Sequence, residues 1–363
     1  MNSQEIRYFK EQLEEKLKNC SNVFILGHKS PDFDSIGSCI GLYTITSRYK
    51  KSYIIVDDEP SIIESGVKRI IDENKGKYSF IKKAEFDALK NKNSLIIIAD
   101  TNKKNMICIG DEIEDFSSVM IIDHHEEDDN SIVTNDILNS VQVSSACEVT
   151  TRLLSSFKIK YSKDVANYLL AGISLDTKRF KRNTSAKTHD VAEKLIENGA
   201  DIDYVNNLFL EEFESFCRIS NLIINGTIIK KYSDDNLAPI QVSFTLNRNN
   251  KKAIYLKEDY AKSADKMLKF YGIDAAFALG YVDDKTIHIS ARSTKKVNVG
   301  KIMKEVYGGG NAQSAGGRVV SDDIDSIEEK LMNSISLGIS DDIEVMDSPP
   351  IIKVKQIKKE KNR

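Results

Sequence analysis

The sequence has no run of apolar residues long enough to cross a lipid bilayer. Its longest apolar stretches, such as Leu95–Ala99 and Leu222–Ile224, have the length of a strand, whereas a membrane-spanning helix needs about 20 residues. The N-terminus is polar and the helical pattern that follows it is charged, so no secretory signal is recognisable. We therefore expect a cytoplasmic protein that makes no membrane contact.

A basic excess and closely spaced cysteines are also missing. The 52 Lys and Arg residues face 55 Asp and Glu residues, which gives a formal net charge of −3, whereas proteins that follow long nucleic acid usually carry a strongly basic domain. The five cysteines are odd in number and show no CxxC spacing, which argues for a reducing compartment and against a disulfide framework or a zinc ribbon. A small anionic substrate, held by a few local charges or metal ions, remains compatible with this composition.

The sequence does contain enough material for about two soluble domains. Its 363 residues are 40% apolar and 29% charged, which is typical of globular proteins. In the first half, continuous apolar runs at Val23–Gly27, Tyr53–Val56, Leu95–Ala99 and Val119–Ile122 alternate with helical patterns. Because these runs do not alternate with polar residues, they indicate strands covered on both faces, and hence a parallel α/β sheet.

The second half follows a different pattern. The region from Ser144 to Asn221 is mostly helical, and beyond it we predict strands at Ile240–Leu246, Ala275–Tyr281 and Thr286–Ala291, a helix between Ala261 and Tyr271, and a turn at Gly308–Gly310. We interpret residues 1–222 as an α/β domain that ends in linker helices and residues 223–340 as a smaller α+β domain. Residues 341–363 form a basic tail that we expect to be disordered.

Acidic and histidine side chains collect directly after apolar runs that we interpret as strands. The four groups are His28, Asp32 and Asp34; Asp100; Asp123, His124 and His125; and Asp176, which follows the run Leu169–Leu175. The carboxyl ends of parallel strands open onto one crevice, so these side chains are expected to meet there. Carboxylates and imidazoles suit Mn²⁺ or a similar divalent ion, and the absence of cysteine disfavours a structural zinc.

Each group alone also has a structural explanation. A single aspartate after a strand is usually a turn or cap residue, and Asp34 could serve only as the N-cap of the next helix. Three of the five histidines nevertheless fall in these groups, and titratable groups that cluster in this way favour a functional site. We expect the other two histidines, His189 and His288, to be structural.

Taken together, the groups resemble the four motifs of the DHH phosphoesterase superfamily, present here as His28–Gly37, Asp100-Thr101, Asp123–His125 and Asp176-Thr177. The second half resembles the DHH-associated C-terminal domain through Ile289–Ser293 and Gly308–Asn311. The resemblance covers roughly residues 20–335 and is closest to the catalytic part of GdpP-type cyclic di-AMP phosphodiesterases. It implies a parallel-sheet DHH domain joined by helices to the smaller α+β domain, with the active site in the cleft between them.

The resemblance also implies a site with two divalent metal ions, most typically Mn²⁺. Its ligands are inferred as His28, Asp32 and Asp100 for one ion and Asp34, Asp100, His124 and Asp176 for the other, with Asp100 bridging both. In this scheme Asp123 orients a ligand histidine, and His125 donates a hydrogen bond or proton towards the leaving oxygen. The substrate is held in the second domain by Arg292, by the backbone of Gly308, Gly309 and Gly310, and by Asn311, which stands where the family normally has histidine.

The expected reaction is hydrolysis of cyclic di-AMP to the linear dinucleotide pApA. The main alternative is a nano-RNase or pAp phosphatase that acts on short oligonucleotides, and an alternative of another class is a catalytically silent nucleotide-binding module. GdpP-type proteins carry membrane helices and sensory domains ahead of the catalytic part, whereas only about twenty residues precede the first predicted strand here. We therefore expect a stand-alone catalytic unit, either a monomer or a homodimer, that binds small nucleotides and no long nucleic acid.

Overall fold

The computed structural model describes residues 1–56, 64–232, 240–249, 255–294, 296–338 and 342–346. The chain divides into two compact units, Met1–Leu210 and Glu211–Arg363. Within the described ranges, every helix is too short or too polar to span a bilayer.

The first unit is built on a six-stranded parallel sheet. Its strands are β1 (Val23–Leu26), β2 (Ser52–Ile55), β3 (Phe80–Ile81), β4 (Leu95–Ala99), β5 (Val119–Asp123) and β6 (Ile137–Asn139). They lie in the order β3-β2-β1-β4-β5-β6, so the order reverses between the neighbouring strands β1 and β4. A reversal of this kind opens a crevice at the carboxyl ends of the two strands.

The central strands are buried on both faces, which confirms the prediction of a parallel α/β sheet. In β1, Val23 and Ile25 join one hydrophobic core, while Phe24 and Leu26 join another on the opposite face of the sheet. The same alternation runs through β4. Side chains that point to opposite faces both meet packed helices or loops, so a continuous apolar run is the pattern that such a strand requires.

Eight helices of the first unit fall within the described residues. They are α1 (Ser3–Asn19), α2 (Phe33–Thr46), α3 (Ser65–Glu73), α4 (Lys83–Leu89), α5 (Ala146–Ser156), α6 (Lys163–Asp176), α7 (Ala186–Glu197) and α8 (Ile202–Leu208), and two short 3₁₀ helices cover Lys104–Met106 and Gly110–Asp115. The run Leu169–Leu175 belongs to α6, so the strand predicted there is wrong. Helix α6 packs on α2, α5, α7 and α8, and a helix enclosed in this way needs no polar face.

Helices α2 and α6 approach each other very closely at two glycines. A Cβ atom on Gly37 would lie 2.5 Å from the Tyr168 carbonyl oxygen. A Cβ atom on Gly172 would lie 2.4 Å from the Cys147 Sγ atom and 2.8 Å from the Asp34 Cα atom. Glycine at these positions therefore permits the contact between α2 and α6, and this contact buries the first turn of α2 completely.

The second unit contains a seven-stranded sheet of order β11-β12-β10-β9-β8-β7-β13. Its strands are β7 (Thr227–Tyr232), β8 (Ile240–Asn247), β9 (Ala275–Tyr281), β10 (Thr286–Ser293), β11 (Gly308–Gly310), β12 (Ser314–Val320) and β13 (Asp342–Met346). Only the pair β8 and β9 is parallel among these described strands. The helices are α9 (Phe213–Ile224), α10 (Lys257–Met267), α11 (Val299–Lys304) and α12 (Ile324–Gly338).

Several elements of the second unit differ from the sequence predictions. Gly308–Gly310 is a strand paired with β12 and not a turn. Helix α10 begins four residues early, where the Asp259 carboxylate accepts the Leu256 amide. Helix α9, which we assigned to the first domain, packs on α10 in the second unit. Asp342–Met346 pairs with β7, so the predicted disorder is wrong for this stretch, and residues 347–363 lie outside the described residues.

Candidate metal centre

The first group of candidate ligands lies where the strand order reverses. His28 follows β1 and Asp100 follows β4 directly, and the His28 Nε2 atom is 3.5 Å from the Asp100 Oδ2 atom. The same Nε2 atom lies 3.8 Å from the Asp32 Oδ1 atom. Asp100 adopts a left-handed backbone conformation with φ of 61°, which sharply ends β4 and is a strained conformation typical of functional sites. The ligand atoms of these three residues are close enough to hold one cation.

The second group shares Asp100 with the first. The His124 Nε2 atom lies 3.0 Å from the Asp176 Oδ2 atom, 3.3 Å from the Asp100 Oδ1 atom and 3.7 Å from the Asp34 Oδ2 atom. These four residues form a further set whose ligand atoms can surround one cation. The two oxygens of Asp100 therefore face different groups, which is the arrangement expected of a bridging carboxylate.

Asp34 is fixed in place by the start of helix α5. Its Oδ2 atom accepts the Ala146 amide at 2.7 Å and its Oδ1 atom accepts the Cys147 amide at 2.8 Å. These amides are among those that a helix leaves unpaired at its N-terminus, where the helix dipole also favours negative charge. Asp34 is therefore not the N-cap of α2, because Asp32 caps that helix by accepting the amides of Asp34 and Ser35.

The pKa shifts of the clustered side chains indicate a binding site for a cation. Burial raises the pKa of Asp34 well above its usual value, and the nearby Asp100 and Asp176 carboxylates add to the rise. Burial also raises the pKa of Asp176. For His124, burial lowers the pKa, but the carboxylates of Asp100 and Asp176 outweigh this and raise it to about 11. Carboxylates that repel one another in a buried site are stabilised by bound positive charge.

Two buried atoms of the cluster lack a hydrogen-bond partner among the described residues. They are the Oδ1 atom of Asp100 and the Nε2 atom of His124, which lie 3.3 Å from each other but not in the geometry of a hydrogen bond. Buried polar atoms are normally satisfied, so such an exception suggests a bound ion or water. Because the donors are carboxylate oxygens and imidazole nitrogens, the site fits a divalent ion such as Mn²⁺.

Asp123 and His125 form a pair at the edge of this cluster. The Asp123 Oδ1 atom lies 2.8 Å from the His125 Nδ1 atom and also accepts the His124 amide at 2.8 Å. We predicted that Asp123 orients the ring of a ligand histidine; the ring that it contacts is that of His125, which with Asp100 and His124 forms a third group of possible metal ligands. The hydrogen bond to Asp123 raises the pKa of His125. The His125 side chain is 55% exposed, so its Nε2 atom is free to face a ligand.

The remaining predicted site residues lie in the second unit. Arg292 is on β10, and its Nε atom lies 3.0 Å from the Asp265 Oδ1 atom. Its Nη1 atom donates to the Ala291 carbonyl oxygen at 3.0 Å. Gly308, Gly309 and Gly310 form β11, and a Cβ atom on Gly309 would meet nothing within 4 Å. The side-chain oxygen of Asn311 accepts the amides of Gln313 and Ser314, so only its NH₂ group can donate to a ligand.

Sequence reasoning missed the backbone amides that hold Asp34. Every residue type except proline has a backbone amide, so a sequence does not show which amides bind a side chain. The start of α5 itself could have been recognised from its capping residue Ser145 and the nearby Glu148. The two other histidines lie outside the cluster. His189 is exposed on α7 with its ring 5.4 Å from that of Phe180, and His288 lies on β10, where burial lowers its pKa to about 4.

A divalent ion is expected to stabilise the folded protein. An ion present at about 100 times its dissociation constant adds roughly 2.7 kcal/mol, which corresponds to a rise in Tm of about 5–10 °C for a unit of this size. The measurement is a thermal melt of chelator-treated protein with and without MnCl₂. The control is Asp190→Asn, which removes an exposed carboxylate on α7 outside the cluster and should show the same rise. An unchanged Tm in the wild type would contradict a metal site.

The chain matches two known domain families and several characterised proteins. Residues 22–173 match the DHH family, N-terminal domain, and residues 242–336 match the DHHA1 domain. The chain is 32% identical over 338 residues to the cyclic-di-AMP phosphodiesterase GdpP of Bacillus subtilis, covering 91% of this chain and 50% of that protein. It is 29% identical over 343 residues to the cyclic-di-AMP phosphodiesterase PdeA of Listeria monocytogenes, covering 91% and 49%. The chain thus spans about half the length of these relatives.

A solved structure supports the fold independently. The crystal structure of an exopolyphosphatase-related protein from Bacteroides fragilis matches with a TM-score of 0.66 at 20% identity, covering 91% of this chain and 96% of that chain. At this level of identity, the likeness concerns the fold alone.

Proposed function

Since the chain belongs to the DHH family, carrying its N-terminal domain followed by a DHHA1 domain, we propose that it is a metal-dependent phosphodiesterase that hydrolyses cyclic di-AMP to pApA. The observation that carries the proposal is the position of Asp100, whose two oxygens face two separate groups of candidate ligands. The names of the GdpP and PdeA relatives support cyclic di-AMP as the substrate. The substrate of the present chain follows from this similarity and not from its metal ligands, which suit several phosphate esters equally.

The proposed ligand sets are those brought together in the first unit. His28, Asp32 and Asp100 hold one ion, and the other is held by Asp100 with Asp34, His124 and Asp176. Two bound divalent ions supply an activated water and stabilise the charge that develops at the phosphoryl group. The amides of Ala146 and Cys147 orient the Asp34 carboxylate for this task, and a bound cation would favour its ionised form.

His125 is the residue best placed to assist the leaving group. Its Nδ1 atom is engaged by Asp123, which fixes the ring and leaves Nε2 for a ligand. His125 lines a cavity of about 350 Å³ together with His28, Asp32, Asp100 and Asp176. A protonated Nε2 donates to the leaving oxygen as the bond to phosphorus breaks. Asp123 supports this role because its negative charge stabilises the protonated ring.

Arg292→Ala is expected to weaken substrate handling without affecting the metal site. Asp265 and the Ala291 carbonyl hold the guanidinium of Arg292 in a fixed orientation, which leaves other donors for a phosphate oxygen. Loss of one charged hydrogen bond lowers kcat/KM by about 10–100-fold. The control is Arg318→Ala, an exposed cation on the neighbouring strand β12. Equal efficiency of wild type and Arg292→Ala on every nucleotide would remove Arg292 from the site.

Product analysis tests the proposed function directly. Purified protein is incubated in MnCl₂ with cyclic di-AMP, pApA, pAp and short oligonucleotides, and the products are separated by chromatography. Conversion of cyclic di-AMP to pApA with higher kcat/KM than for the linear substrates is the expected result. Preference for pApA, pAp or oligonucleotides would instead identify a nano-RNase or pAp phosphatase. Binding of nucleotides without turnover would identify a silent nucleotide-binding module.

A further inference from the structure

Lys103 lies close to the candidate metal ligands but has no role in the motifs of the sequence. It comes three residues after Asp100 and lines the same cavity of about 350 Å³. Among the described residues that line this cavity, Lys103 is the only lysine or arginine, and three of the others are the aspartates Asp32, Asp100 and Asp176. Its side chain is 19% exposed, and that of its partner Asp128 is 57% exposed.

The ammonium group of Lys103 has two contacts in the described part of the chain. Its Nζ atom lies 2.8 Å from the Asp128 Oδ1 atom and donates to the Ser131 Oγ atom at 3.0 Å. Ser131 in turn donates to Asn102, whose amide reaches the His125 carbonyl oxygen at 3.4 Å. An ammonium has three donors, and the contacts found in the described part of the chain use two of them. One donor is therefore not used by these two contacts.

Lys103 differs from its neighbour Lys104 in the cavity that the side chain lines, although the two lysines are adjacent in the sequence. The Lys104 Nζ atom lies 2.8 Å from the Glu114 Oε1 atom. Its side chain is 39% exposed and lines a different cavity, together with Asp111 and Phe116. Of the two lysines, only Lys103 lines the cavity that the candidate metal ligands also line.

We propose that Lys103 is a catalytic residue whose ammonium group contacts a non-bridging oxygen of the reacting phosphate. A phosphate has oxygens that face away from bound metal ions, and lysine is a compact point charge suited to such an oxygen. Asp128 and Ser131 act as positioning residues, since they hold the ammonium against the cavity wall before the substrate arrives. This inference rests on the proposed function for the identity of the substrate, but the phosphate contact itself is independent of which nucleotide is hydrolysed.

The test compares Lys103→Met, Lys103→Arg and the matched control Lys104→Met. Three quantities are measured in MnCl₂: kcat/KM on cyclic di-AMP, the dissociation constant of 5′-AMP by calorimetry, and the rise in Tm caused by the metal. Lys103→Met is expected to lose about tenfold in kcat/KM and about tenfold in 5′-AMP affinity, with an unchanged metal-dependent rise in Tm. Lys103→Arg should recover most of both losses, and Lys104→Met should behave as the wild type.

The outcomes separate this proposal from the proposed function. Unchanged 5′-AMP affinity and unchanged kcat/KM in Lys103→Met would overturn the phosphate contact. A loss of kcat/KM together with a lower Tm, and without recovery in Lys103→Arg, would also overturn it, because that result indicates a purely structural role. If the wild type fails to hydrolyse cyclic di-AMP, the proposed function is wrong. The 5′-AMP measurement then decides whether Lys103 contacts a phosphate. Weaker 5′-AMP binding in Lys103→Met alone supports the contact, whereas equal binding in all variants, or none in any, overturns it.

Discussion

Asp100→Asn is expected to abolish the proposed phosphodiesterase activity, with a fall in kcat/KM of about a thousandfold or more. Residues that merely orient a metal ligand cost about 10–100-fold when they are removed, and Asp100 faces both groups of ligands itself. Its Oδ2 atom lies 3.5 Å from the His28 Nε2 atom, and its Oδ1 atom lies 3.3 Å from the His124 Nε2 atom. An amide cannot supply the negative charge that a bridging carboxylate gives to two cations.

The same substitution should leave the fold intact. Asparagine is one of the few residues that readily adopts the left-handed conformation observed at position 100, with φ of 61°. Asp100 adds to the raised pKa of Asp34. Burial raises the pKa of Asp100 itself, but interactions with His124 and His28 outweigh this and lower it to about 2, so neutralisation removes both a repulsion and two favourable contacts. Thermal melts should therefore show a cooperative transition without metal and little rise in Tm with MnCl₂. A folded Asp100→Asn protein with near-wild-type turnover would rule out the shared carboxylate.

The sequence was most informative where one physical requirement dominates. Strands β1, β4 and β5 must be apolar on both faces, so their positions could be predicted to within about a residue. The side chains that follow them meet because parallel strands end at the same edge. The short strand β3 could not be predicted, because its two residues are too few to show a periodic pattern.

Other features could not be predicted because the same pattern suits two structures. Leu169–Leu175 is apolar apart from Ser174, and such a run fits a buried strand as well as the enclosed helix α6. Gly308–Gly310 was predicted as a turn because glycine is depleted in strands, whereas it pairs with Ala315–Gly317 of β12. The pairing of Asp123 with His125 was missed because both histidines follow the same strand, and only the geometry shows which ring the carboxylate reaches.

The second large effect is expected from Gly172→Ala, which adds one methyl group next to a candidate metal ligand. A Cβ atom at this position would lie 2.8 Å from both the Cα and the Oδ1 atoms of Asp34 and 2.4 Å from the Cys147 Sγ atom. Real Cβ atoms do not approach backbone so closely, so α2 and α6 must move apart. Overpacking of a well-packed core typically costs about 1–3 kcal/mol.

We expect Gly172→Ala to lower activity by more than its loss of stability alone would cause, because the shift of α2 displaces Asp34. Asp34 makes two short hydrogen bonds to the amides of α5, and a shift of α2 moves its carboxylate away from them and from His124. A misplacement of about 1 Å at a catalytic group can cost about a hundredfold in rate, so we expect at least that loss in kcat/KM. The control is Ser174→Ala, a nearly buried position two residues along the same helix, which removes an atom instead of adding one. Equal kcat/KM and Tm for Gly172→Ala and wild type would mean that the close approach of α2 and α6 does not position Asp34.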